Sequence, residues 1–118
     1  FNGPMKGTMR AAAEDLVIGG VDVRKGDRVM LLMASANRDP DQFADPDRLD
    51  IARNPNPHLA FGHGIHFCLG APLARLEVEI GLTEMVRRFD RLELASPVKY
   101  ERRILSRAIE SPLTLRLA

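Results

Sequence analysis

Apolar and polar positions along this chain cluster and break in a readable order. "EDLVI" is followed by Gly19–Gly20 and "VDV", then by a turn-like "RKGD" and the apolar run "RVMLLM". Short apolar runs divided by glycine-containing turns predict a hairpin followed by a buried strand. The next stretch, "ASANRDPDQFADPDRLDIARNPNPH", is rich in proline, aspartate and asparagine. Such residues interrupt regular structure, which predicts a short helix near Ala34–Asn37 and then a meandering loop. Long ordered loops are uncommon in small domains and tend to serve a site.

The strongest helical signal is "APLARLEVEIGLTEMVRRF". Pro72 suits the first turn, where its missing N–H would have had no partner. Leu73, Leu76, Ile80, Met85 and Phe89 read as one apolar stripe. Acidic residues early and arginines late fit the helix dipole. "RLELA" and "PLTLRLA" alternate like half-buried strands, with "VKYERRILSRAIES" an irregular strand-and-loop excursion between them. The pattern predicts a mixed α and β architecture: one long helix with short β elements.

Composition narrows the classes. The 118 residues fit one ordinary domain, and 45% hydrophobic with 28% charged residues describe a chain that can pack a core. A net charge of +1 argues against nucleic acid as a partner. No apolar run is long enough to span a bilayer. The single cysteine excludes an internal disulfide framework and points to a reducing, cytoplasmic setting. "FNGPMKGTMR" has no initiator methionine and reads as the middle of a longer chain.

That cysteine lies in "FGHGIHFCLG", residues 61–70, among three glycines and two histidines. Cys68 precedes a helix start, where free backbone N–H groups and the dipole favour a thiolate. The dipole supplies only about 0.3–1 kcal/mol at exposed sites, against several kcal/mol for burying an anion. A helix end alone therefore would not hold a buried sulfur ionised, whereas a bound cation would. Three readings stand: a structural cysteine, a nucleophile near His66, or a zinc ligand with His58, His63 and His66. The glycines around the sulfur favour close approach of a broad, flat object.

At these residues the chain resembles the haem-binding loop of the cytochrome P-450 family, F-G-x-G-x-H-x-C-x-G. Phe61, Gly62, Gly64, His66, Cys68 and Gly70 all match. "ASANRDP", "DPDRLD" and "LARLE" resemble further family segments in family order, so the likeness spans nearly the whole chain. It implies an α+β fold class: the C-terminal part of the mostly helical cytochrome P-450 fold, with short β hairpins, a meander, the cysteine haem loop and one long helix. It implies haem b (iron protoporphyrin IX) as cofactor, with Cys68 as the axial iron ligand. A thiolate there pushes electron density onto iron and favours O–O cleavage.

Gly62, Gly64 and Gly70 would serve the loop backbone, Phe61 would pack near the haem and shield the sulfur, and His66 and Arg10 would bind the haem propionates. Arg48 resembles the meander arginine, with Leu49 where the family usually has phenylalanine. Thr8, Ile104 and Leu105, along with Lys6 and Gly7, resemble segments at the substrate-pocket edge. The resemblance further implies a monooxygenase inserting one oxygen atom into a small organic substrate, served by a ferredoxin or flavin-type redox partner. It resembles soluble bacterial members, with no membrane association evident. The family's E-x-x-R motif and its oxygen-face helix are absent from the sequence. Residues 1–118 are therefore expected to be a C-terminal segment, not a complete domain, partnered by an N-terminal segment of the same protein and inactive alone. The alternative is a truncated or cleaved haem-binding remnant without turnover.

Overall fold

Two glycines in series allow a tight reversal of the chain. Gly19 (φ +57°) and Gly20 (φ +82°) take the positive angles that a two-residue hairpin turn requires. In the computed structural model, which describes residues 3–110 and 112–117, they join β2 (Leu16–Ile18) to β3 (Val21–Val23) in antiparallel register, Ile18 opposite Val21. The "RKGD" turn follows as expected. Its Asp27 N–H donates to the Arg24 carbonyl, and the Arg24 N–H to the Asp27 carboxylate.

β4 (Arg28–Leu31) pairs with β1 (Thr8–Ala11), Arg10 facing Val29. β1 is not predicted from the sequence: "TMRA" alternates, but over only four residues, and its partner lies about twenty residues on. The expectation of a buried "RVMLLM" strand needs correcting, since Met30, Leu31 and Leu32 are exposed. A two-stranded ribbon has two open faces, so these side chains stay about half exposed.

The short helix α1 is Met33–Ala36, one residue earlier than expected at each end. The long helix α2 is Ala71–Arg88, with Pro72 in its first turn and Arg87 and Arg88 in its last. Its first turn holds no acidic residue, so the dipole pattern expected from the sequence applies only at the C-terminal end. β5 (Leu92–Leu94) and β6 (Leu115–Leu117) pair antiparallel, as the alternation predicts. These strands and helices make an α+β architecture.

The residues group into two compact units. One runs through Ala60 and includes Arg103–Arg107; the other takes Phe61–Arg102 and Ala108 onward. In the first, Lys6 N–H donates to the Leu105 carbonyl at 2.8 Å and Met5 bridges Ser106. In the second, Tyr100 bridges Ile109. Among the described residues the buried hydrophobic side chains are Phe43 and Ala71.

The single stripe expected on α2 is in fact two. At about 100° per residue, Leu73, Leu76 and Ile80 fall within roughly 60°, whereas Val78, Leu82 and Val86 lie on the opposite side. Members of both sets are exposed. A helix that is apolar on opposite faces is built to be covered on both.

Candidate functional site

The site residues of the second unit lie on a loop that closes on itself. The Cys68 N–H donates to the Phe61 carbonyl at 2.8 Å. Within that closure, Gly62 takes φ +74° and Gly64 φ +62°. A Cβ on Gly62 would come within 3.1 Å of the His66 carbonyl oxygen, so the loop needs glycine there for space as well as for angle. Gly64–His66 forms one 3-10 turn, secured by the Phe67 N–H to the Gly64 carbonyl at 3.0 Å. Beyond the sulfur, the Cys68 carbonyl accepts the Ala71 N–H at 3.2 Å. One of the helix-start donors expected to be free is thus taken by the cysteine's own carbonyl.

Both backbone groups of Cys68 are therefore fixed, while its thiol is free and exposed. Gly70 has an ordinary φ of −81°. A Cβ there would stand 3.9 Å from the Cys68 sulfur, so its absence leaves the sulfur open on that side. Ile65 and Leu69 are each 98% exposed, and Phe67 is about half exposed. Exposed apolar side chains flanking a fixed thiol form a surface suited to a largely apolar, sulfur-binding group.

Phe61 is half-buried. Its ring lies 6.2 Å from the Phe67 ring at an interplanar angle of 56°, and the Arg75 guanidinium of α2 lies 5.3 Å from its centroid. Neither Phe67 nor Arg75 stood out in the sequence. The available signal was a cation in the second turn of a helix, away from the end where the dipole would favour one. His66 is exposed at the end of the 3-10 turn.

Arg10 belongs to the first unit. It is exposed on β1, where one guanidinium nitrogen donates to the Met9 carbonyl at 2.9 Å and to the Thr8 hydroxyl at 3.2 Å. An open cleft of about 230 Å³ in this unit is lined by Lys6, Leu32, Ser35 and Ile104, among others. Of the expected pocket-edge residues it brings Lys6 and Ile104 together; Thr8 and Leu105 do not line it. The Lys6 ammonium donates to the Arg103 carbonyl at 2.7 Å.

In the meander, Arg48 is exposed and its backbone N–H donates to the Asp45 carbonyl. Arg53 reaches back instead, donating to the carbonyls of Ala44 and Asp45 and lying 6.0 Å from the Phe43 ring. Among the described residues no group of three or more His, Cys, Asp or Glu could hold a metal ion, so a zinc site from His58, His63, His66 and Cys68 does not form. Among the same residues no helix is long and apolar enough to cross a membrane.

Comparison with known proteins gives concordant matches. The family model described as Cytochrome P-450 matches residues 3–110. The chain is 50% identical over 95 residues to the biotin biosynthesis cytochrome P-450 of Bacillus subtilis (strain 168), covering 80% of this chain and 24% of that protein. It is 49% identical over 109 residues to nocardicin C N-oxygenase of Nocardia uniformis subsp. tsuyamanensis, covering 89% of this chain and 27% of that protein. Among solved structures, P450BioI in complex with an acyl carrier protein ligated to hexadec-9Z-enoic acid matches with a TM-score of 0.92 and 46% identity, over 98% of this chain and 30% of that one. The chain spans about a quarter of the length of these curated relatives.

Proposed function

This chain belongs to the cytochrome P-450 family, and from that premise we propose that it supplies the thiolate side of a haem site in a monooxygenase acting on a small organic substrate. The observation that carries the reading is the exposed thiol of Cys68, fixed by backbone hydrogen bonds on both sides in a glycine-shaped loop with apolar neighbours. The residues fit a haem: one soft anionic ligand, a side-chain-free approach at Gly70, and apolar flanks at Ile65 and Leu69. Haem, when bound, supplies the one-electron and dioxygen chemistry of the reaction.

The chain's own residues bind and orient. Cys68 would hold the iron through sulfur, and its fixed N–H and C=O hold the backbone from which that sulfur projects. Phe61, half-buried at the start of the loop, would pack near the haem and shield the sulfur. Arg10 and His66 bind the propionates, since a carboxylate leaving water needs charged or hydrogen-bonding partners and the arginine fork provides both. The arginine's present bonds, to the Met9 carbonyl and the Thr8 hydroxyl, are local and exchangeable. The cleft at Lys6 and Ile104 forms an edge of the substrate pocket. Electrons come from a ferredoxin or flavin-type partner.

The 118 residues act as a C-terminal segment of a larger haem-binding unit. Support comes from α2, whose two exposed apolar faces need covering protein. Alone, the segment has no turnover, because oxygen activation needs ordered proton delivery and exclusion of water on the side opposite the thiolate.

The test is spectroscopic. In the haem-loaded protein, Cys68→His is expected to abolish the red-shifted carbon monoxide band of thiolate haem. Persistence of that band in the variant would overturn the assignment.

A further inference from the structure

We propose that Arg75 is a positioning residue for the thiolate: stacked on Phe61, it holds the backbone that orients Cys68. This rests on the reading of Cys68 as the iron ligand, but its geometry stands on its own. The guanidinium lies 5.3 Å from the Phe61 centroid, within range for a cation–π contact. The Phe67 ring packs on the same phenyl at 6.2 Å in a tilted arrangement, within range for an aromatic pair. The phenyl is therefore restrained by two separate groups, and its own carbonyl receives the Cys68 N–H at 2.8 Å. Helix α2, which starts three residues after the cysteine, thus reaches back to the first residue of the loop and braces it.

Two further features favour this over an incidental contact. Glu79 stands at i+4 from Arg75, the spacing for a helical ion pair. Among the described residues, however, the salt bridges on α2 are those of Glu84 with Arg87 and Arg88, and Arg75 makes none. Arg75 also occupies the second turn of α2, away from the C-terminal end where the dipole would favour a cation. Among the described residues, the contact with Phe61 is the interaction that accounts for the side chain's place.

Amide hydrogen exchange on the whole protein tests the proposal without depending on haem. Arg75→Met keeps length and helix propensity but removes the charge and the planar face. It is expected to speed exchange of the Cys68 amide about two- to five-fold, the equivalent of an exposed cation–π contact. Amides of the β5–β6 pair and of the middle of α2 should not change. Arg75→Lys, which restores a cation over the ring, should recover part of the protection. In a Phe61→Leu background, Arg75→Met should add nothing.

Unchanged Cys68 exchange in Arg75→Met would overturn the proposal. So would an effect of equal size in the Phe61→Leu background, or a uniform loss of protection throughout the second unit. Should Cys68→His keep the thiolate carbon monoxide band while these exchange results hold, the iron-ligand reading fails and the brace stands. The reverse outcome is equally recognisable.

Discussion

The segment from Asn37 to Ala60 and helix α2 solve the same problem in opposite ways. The segment has almost no regular structure, yet its polar groups are satisfied locally. The buried Asn37 side chain accepts the Leu59 N–H at 2.7 Å, Arg53 donates to two carbonyls, Arg38 pairs with Asp47, and Phe43 is buried beneath them. Helix α2 satisfies its backbone internally and leaves its apolar side chains bare. Regularity is thus a poor guide to self-sufficiency: the irregular segment carries its own anchors, whereas the helix depends on what covers it.

Substitutions can break that contrast. The largest effect is expected at Phe43, which is only 6% exposed. Phe43→Ala should lower stability by about 3–5 kcal/mol, the range for emptying a buried phenylalanine site, read as a shift in denaturant midpoint. Asn37→Ala comes next. It strands the Leu59 N–H in a part-buried position and should cost about 1–3 kcal/mol, with faster exchange of that amide as the local sign. Leu82→Ala should change the folding of the 118-residue chain by no more than about 0.5 kcal/mol, as at an open surface site. In a protein where further segments cover α2, the same substitution should cost about 2–5 kcal/mol. Equal costs in both settings would mean that α2 needs no cover.

Much of this was legible in the sequence where local chemistry decides the outcome. Gly19–Gly20 fixed the β2–β3 turn because few other residues accept those angles. Pro72 marked the start of α2, and Gly62 and Gly64 marked a loop of unusual backbone. What stayed hidden depends on distant partners. β1 becomes a strand only through β4. Arg53 buttresses the meander because its side chain meets carbonyls eight and nine residues back. At the site, the family resemblance picks out the cysteine, its glycines and His66, but not the Arg75–Phe61–Phe67 cluster. Three side chains from a loop and a helix meet there, and no sequence period encodes the meeting. The two apolar faces of α2 are present in the sequence, but the five-residue step from Ile80 to Met85 crosses from one to the other, and Met85 and Phe89 fall with Val78, Leu82 and Val86.

The order in which the ribosome delivers residues gives the segment Arg103–Arg107 a further role. It belongs to the first unit, bonding back to Pro4 and Lys6 through Arg107, Leu105 and Arg103. Between Ala60 and Arg107 lie the loop of Cys68, all of α2 and β5. At about 5–20 residues per second, the first unit waits roughly 2–10 s after its main body emerges before its last piece arrives. During that interval the β1–β4 ribbon and both faces of α2 are nascent and uncovered. The crossing at 103–107 therefore lets the first unit close only after most of the second has been made.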